Sequence, residues 1–319
     1  MALPSNTFTQ YDSIGNREDL SDVIYDVSPT ETPFASGIKR VSATAVLHEW
    51  QTDSLDAATA NNAALEGDDA TGTAVTPTVR VTNRCQIMDK VIVVSATQRA
   101  IVTAGRADEL DFQTVRKGRE LKRDVEAAIT GSNAATAGST ATARLLGGVE
   151  TYLATNINRT TTTHTTPGAG AAITDGTGLT LTGATMKTAL DDVISLAWTE
   201  GGDPSTIMLG ASNKQVASGM TGIATLYRDN PAGMQGQLIG GADSYVSDFG
   251  NHTIVPNRFM RTRTVLVLDM EFFAIAELRG MQTTELAKTG DNDKVQLITE
   301  LTLEARNEKS SGKIADALP

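Results

Sequence analysis

Ala45-Val46-Leu47-His48-Glu49-Trp50-Gln51 and Val79-Arg80-Val81-Thr82, the latter continuing to Lys90-Val91-Ile92-Val93-Val94, are two extended runs with a long polar stretch between them. β-Branched and aromatic residues at this density favour pleated, half-buried strands. The intervening stretch, Thr52 to Pro77, carries Asp53, Asp56, Glu66, Asp68 and Asp69, no Lys or Arg, and almost no large apolar residue. It cannot bury a core of its own, and a structureless excursion of this length is uncommon inside a compact domain. One strand therefore goes out, one returns, and the connection is either disordered or reaches across to something else.

Before this stretch, Asn16 is a plausible cap for a short helix with Leu20, Val23, Ile24 and Val27 on one face. Ser28-Pro29-Thr30-Glu31-Thr32-Pro33-Phe34 follows, and its two prolines enforce an extended path. Such an arm needs another surface to lie on. After the stretch, the pattern predicts a helix from about Ala107 to Thr130, with Asp108 near its start and Gly131 at its stop. Its narrow apolar stripe is Leu110, Val115, Leu121, Val125, Ala128 and Ile129, and Gly118 inside the stripe marks a place where another backbone could approach. Arg116, Lys117, Arg119, Lys122 and Arg123 make the middle of the helix basic. They could meet packaged nucleic acid, receive acidic segments of a neighbouring copy, or form an ordinary charged face.

Residues 145 to 280 alternate helix and strand. Met186, Ala189, Leu190, Val193, Ile194, Ala197 and Trp198 fall on one helical face that stops at Gly201-Gly202. Ser205 to Leu209 and Thr264 to Leu268 read as short strands, and Ser212 as the cap of a helix to about Ser218. The Thr- and Gly-rich stretch from Thr160 to Gly183 reads as a flexible surface insertion. Val295, Leu297, Leu301, Leu303 and Ala305 alternate with polar residues in a long half-buried strand. With about 45 threonines in the chain, the fold class is α+β.

Composition excludes several functions. The 319 residues carry a formal charge of -11 and a single Cys, which rules out a disulfide framework or a multi-cysteine metal site. The acidic balance without a basic tail disfavours direct readout of DNA. No run of 18 apolar residues and no signal-peptide pattern is present. Asp248-Phe249-Gly250 spells the magnesium-binding triplet of protein kinases, but no Gly-rich phosphate loop or catalytic loop precedes it. His48, His164 and His252 lie far apart without ligand spacing, and Cys85, beside Arg84, has no nearby His and reads as a packed side chain. The adjacent carboxylates of Asp191-Asp192 and Asp68-Asp69 point apart on a regular element and read as solvated faces. No catalytic, cofactor-binding or metal-ligating residue is assigned.

The local words Ser28 to Phe34, Glu49-Trp-Gln-Thr-Asp53, Ser212-Asn-Lys-Gln-Val216, Ser247-Asp-Phe-Gly250, Val255-Pro-Asn-Arg258, Thr289-Gly-Asp291 and Leu301 to Asn307 occur in that order over nearly the whole chain. With the arm, the acidic loop, the long helix, the α/β layer and the terminal strand, they resemble the major capsid proteins of tailed bacteriophages with the Hong Kong 97-type fold. The resemblance implies an N-terminal arm over 1–42, an extended β-hairpin loop over 43–90, and a peripheral domain with a spine helix over 91–143 and 281–309. An α/β axial domain would take 144–280 and 310–319. It implies a virion subunit that assembles in the host cytoplasm as pentamers and hexamers of an icosahedral head enclosing double-stranded DNA, contacted non-specifically at most. A separate scaffolding protein, a portal and a decoration protein are the implied partners, with no membrane. Inter-subunit contacts are expected at Trp50, Asp53, Glu66, Asp68 and Asp69 of the loop, and inter-subunit or lumen-facing roles at Arg116, Lys117, Arg119, Lys122 and Arg123.

Two departures from the best-known relative bear on mechanism. Covalent chain-mail there needs a loop lysine, and this chain has no Lys between Lys39 and Lys90, so the joints are expected to be non-covalent. The arm begins within about 40 residues of Met1, so no large cleaved prodomain is expected. An encapsulin-type nanocompartment shares the fold and is the first alternative. A Thr-rich adhesin or binding module is the second, weakened by 4% aromatics where a sugar-stacking face would need more.

Overall fold

The computed structural model describes residues 28–67, 69, 72, 74–159, 164–220 and 242–318. The expected helix around Leu20 to Val27, Asp68 and Thr160 to Thr163 lie outside the described residues. The arm enters through a one-turn helix, α1 (Pro33–Gly37), with Pro33 in the first turn where a missing N–H costs nothing. Strand β1 (Lys39–Ser42) follows, then β2 (Leu47–Thr52) and β3 (Val79–Arg84) pair antiparallel as the stem of the hairpin, Thr52 opposite Val79. After β4 (Gln86–Ser95) and the short α2 (Ala96–Ala100) comes α3 (Glu109–Thr130), about 33 Å long. The Asp108 carboxylate accepts from Leu110 N–H and caps its start, and Gly131 ends it.

The second part contains α4 (Val149–Tyr152), β5 (Ile157–Asn158), β6 (Leu179–Thr180) and α5 (Gly183–Thr199), the last opened by a Thr182/Thr185 capping box. Then come β7 (Thr206–Leu209), α6 (Ala211–Ser218), β8 (Ser244–Ser247), β9 (Gly250–Pro256) and β10 (Val265–Leu268). The chain returns through β11 (Phe273–Leu286) and β12 (Asn292–Ala305), and finishes with β13 (Gly312–Ile314) and β14 (Ala317–Leu318).

Two sheets organise these elements. One has the order β1-β11-β12-β4, the other β5-β13-β10-β7-β9-β8. Helix α3 lies on the first sheet and buries Leu121, Val125 and Ile129 against Met88, Ile92, Leu297 and Leu301. Helix α5 lies on the second and buries Met186, Leu190, Val193 and Ile194 against Ile207, Val265 and Val267. Leu266 and Leu268 face the first core while Val265 and Val267 face the second. Burial on both sides explains why β10 is an unbroken apolar run.

Four local expectations are corrected. Val115 is exposed although it lies within about 20° of the buried Glu126 on the helix wheel, because no residue of α3 before Leu121 is buried and the cover is confined to the C-terminal half of the helix. Gly118 meets no backbone: a Cβ there would stand 3.6 Å from a Leu297 methyl, an ordinary contact. Trp198 turns away from the buried Ala197, is largely exposed, and stacks at 5.3 Å on Phe249. Gly210, not Ser212, precedes α6, and Ser212 lies within the helix. The 164–178 stretch is also less free than its composition suggests, since a Thr165–Thr174 bridge closes it and His164 is buried.

Candidate assembly surfaces

The hairpin stem is locked to its own subunit. Trp50 is buried with its ring 5.9 Å from that of Tyr152, whose hydroxyl donates to the Thr82 carbonyl at 2.9 Å. Asn83 donates to the Leu303 carbonyl at 2.8 Å and accepts from Gly147 N–H at 2.8 Å, and His48 Nε2 lies 3.2 Å from Glu304. Trp50, expected at an inter-subunit contact, is thus packed in its own subunit's core. Beyond the stem the chain is bare: Leu55, Leu65 and Val75 are 99%, 79% and 91% exposed, and Asp53, Glu66 and Asp69 are exposed as well. Among the described residues, 53–78 take part in no strand pairing.

The basic residues of α3 divide into two groups. Lys117 bonds Glu120 at 2.7 Å, and the Arg123 guanidinium sits 5.6 Å over the Phe259 ring. Arg116 reaches Glu120 only at 3.7 Å, and Arg119 and Lys122 are exposed with no ion pair among the described residues. Arg116, Arg119 and Arg123 share the face opposite Leu121, Val125 and Ile129.

The arm is fastened at one carboxylate. Glu126, fully buried in α3, accepts from Phe34 N–H (2.9 Å), Ala35 N–H (2.8 Å) and Asn257 Nδ2 (2.6 Å), binding arm, helix and the end of β9 at one point. Burial pushes its carboxyl above the ordinary range, opposed by these three donors. On the other side of the sheet, Glu300 accepts from Arg144 and, at 2.8 Å, from Arg279 Nε, while Arg144 also donates to the Cys85 carbonyl at 2.6 Å. The Cys85 thiol is pushed up to about 11, first by burial and then by Glu300, with Arg144 opposing.

A partly buried ionic cluster, with His164, Asp316, Glu150 and Lys313 inside and Asp175 exposed, closes the second part. His164 Nδ1 stands 2.9 Å from Asp316, which also takes Arg263 Nη2 at 3.0 Å, and Asp175 holds Arg261 through both oxygens at 2.8 Å. Lys313 Nζ donates to the Glu150 carbonyl (2.7 Å) and Thr166 Oγ1 (2.9 Å), and burial lowers its pKa to about 8. His164, Asp175 and Asp316 come within ligand distance of one another. Three carboxylates with Glu150 meet three cations, Arg261, Arg263 and Lys313, so no net negative charge remains to hold a metal ion. Sequence reading missed this cluster, whose members come from four separated segments. Asp248 and Phe249 of the triplet form the two-residue turn between β8 and β9, and Gly250 opens β9.

The elements therefore present a bare acidic loop, a helix with a basic outer face and two sheets, and no catalytic constellation among the described residues. A family model described as SU10 major capsid protein matches residues 3–318. The chain belongs to the SU10 major capsid protein family. The major capsid protein of Escherichia phage Phieco32 is 26% identical over 355 residues, covering 99% of this chain and 98% of that one. Among solved structures, the capsid of cyanophage P-SCSP1u matches with TM-score 0.65 at 13% identity, covering 99% of this chain and 97% of its own. That of Cyanophage A-1(L) matches with TM-score 0.67 at 13% identity, covering 95% and 97%. The SU10-family subunit has the Hong Kong 97-type α+β capsid fold and is a structural protein of a phage head, and the nanocompartment reading is not favoured. No helix among its described residues is long and apolar enough to cross a membrane.

Proposed function

We propose that the subunit forms pentamers and hexamers that close an icosahedral shell around double-stranded DNA through non-covalent joints. The observation that carries this reading is the 53–78 loop, which exposes Leu55, Leu65 and Val75 on a stem fixed rigidly to its own subunit. Apolar side chains bare to this degree gain their burial only on another molecule. The loop acts as a strap whose carboxylates, Asp53, Glu66, Asp68 and Asp69, meet basic residues of the next subunit. Arg116, Arg119 and Arg123 of the spine helix receive such carboxylates or face the packaged DNA. The arm (1–42), extended loop (43–90), peripheral domain (91–143, 281–309) and axial domain (144–280, 310–319) divide the labour, with ring contacts made around the axial domain. Scaffolding, portal and decoration proteins are the partners this reading supports, and assembly takes place in the host cytoplasm. No catalytic step is assigned to the subunit.

Electron microscopy and sedimentation of the overexpressed chain test the proposal. Closed shells, tubes, or rings of five or six are expected. A monomer that persists when a scaffolding protein is co-expressed would count against it, and a ladder of multimers on a boiled reducing gel would remove the non-covalent joints.

A further inference from the structure

The two roots of the extended loop stand over a cavity. Thr52 and Val79 form the last pair of the stem, and the residues just beyond them, Asp53, Ser54, Thr76 and Pro77, make one wall of a half-enclosed space of about 330 Å³. The facing wall belongs to the body of the subunit: Tyr152 of α4, Ala169, Ala305 at the end of β12, and residues 307–309. Tyr152 and Ala305 are buried and lie at the base, whereas Val79 on the loop side is 63% exposed. The stem is anchored through Trp50 and Asn83, and among the described residues 53–78 take part in no strand pairing. The cavity therefore sits where the chain passes from fixed to unpaired.

The charged groups of its lining are already engaged. Glu308 accepts from Ala154 N–H (3.0 Å), Thr155 N–H (3.1 Å) and the Thr155 hydroxyl. Lys309 Nζ is held by Glu200 at 2.9 Å, and the Asp53 carboxylate turns back on Ser54 N–H at 2.9 Å. No unpaired cation in the lining draws an anion in. Apolar surface comes from Pro77, Val79, Val81 and Ala169, with the Ser54 and Thr76 hydroxyls beside it. A mostly apolar space with a few hydrogen-bonding groups is the usual form of a small-molecule site, at roughly 300–1,000 Å³. We propose that this cavity binds a small uncharged, largely apolar molecule, packed against Val79 and Val81 and hydrogen-bonded by Ser54 or Thr76. Once filled, it wedges the loop roots against the body and fixes the direction in which residues 53–78 leave. The site stands on its own geometry, and its hold on shell growth rests on the capsid reading. A loop that serves both pentamers and hexamers needs more than one exit angle, so the wedge lowers assembly.

The uncharged dye N-phenyl-1-naphthylamine, added to the unassembled full chain, tests the site. Trp198→Phe, at an exposed position, leaves Trp50 as the only tryptophan, with its ring 5.9 Å from that of Tyr152. In this background dye emission should rise and saturate at one dye per subunit, with Trp50 emission changing in step. Val79→Phe, which fills the space from an exposed position, should lower affinity about ten-fold and Val79→Ile should keep it, with circular dichroism and thermal unfolding as the folding control. Amide exchange at Thr52 to Ser54 and at Thr76, Thr78 and Val79 should slow with dye bound, and shell yield should fall. Absence of saturation, or full affinity in Val79→Phe, overturns the site. Saturable binding with unchanged exchange at the roots overturns the wedge. Slowed exchange with undiminished shell yield removes its hold on assembly, and absence of shells without dye, with scaffold supplied, strikes instead at the capsid reading.

Discussion

Glu126 is the single side chain on which three segments converge. Glu126→Ala leaves Phe34 N–H, Ala35 N–H and the Asn257 amide without their acceptor. At about 1–3 kcal/mol per orphaned buried donor, a loss on the order of 3–5 kcal/mol is expected in urea unfolding of the subunit, with limited proteolysis cutting first near the arm. His164 gives a pH signature. Burial, helped by Lys313, holds its pKa below the ordinary value of 6.5 despite the Asp316 carboxylate. A base lowered in the folded state favours folding when neutral, so its contribution is complete above about pH 6.5 and drains as pH falls through the folded value. Unfolding free energy measured from pH 7.5 down to 4.5 should fall less steeply in His164→Gln than in the wild type. At Cys85, a thiol pushed up to about 11 by burial should resist a thiol reagent at pH 8 in the native subunit and react only in denaturant.

The spine helix shows how far an element can be read before its partners are known. Leu121→Ala, fully buried, should cost about 2–5 kcal/mol, whereas Val115→Ala, exposed on the same helix, should stay within about 0.5 kcal/mol. Asp108, Gly131 and the Leu121–Val125–Ile129 spacing were legible because capping and helical period are local properties. So was the hairpin stem, whose two runs alternate cleanly, and the terminal strand from Val295 to Ala305. Trp198 misled because an apolar residue at a stripe's margin fits the period while lying one 100° step from the buried Ala197, and Val115 because the period says nothing of where along a helix its cover ends. The cluster of Glu150, His164, Asp175, Arg261, Lys313 and Asp316 was illegible for the opposite reason: each member looks like a solitary polar residue until the chain folds. Trp50 is expected outward only through the resemblance of the loop that carries it, and the ring that packs on it, Tyr152, is 102 residues away, beyond any local signal. The loop itself was legible as a segment without a core, although which surface takes it lay outside any local signal.

At the scale of the whole molecule, the net -11 repels like subunits at long range. On the reading proposed above, a loop holding only carboxylates and a helix with a basic outer face supply the attraction at short range. Asp53→Asn, Glu66→Gln, Asp68→Asn and Asp69→Asn together should lower assembly yield at low salt, by light scattering or sedimentation. The difference from wild type should shrink above about 0.5 M salt, where screening acts within a few ångströms. An unchanged yield at low salt would remove the carboxylates from the joint.

The order of strands in the two sheets also governs when a subunit becomes competent. β1, at residues 39–42, pairs with β11, at 273–286, and β13, at 312–314, is inserted between β5, at 157–158, and β10. Neither sheet can close while the chain is still being translated through β10, and such distant pairings are slow to find one another. The edge strand β4 likewise waits for β12 before it presents a formed ladder. A growing polypeptide on the ribosome therefore completes neither sheet until β12 and β13 have emerged, although the local β2–β3 stem can form long before them.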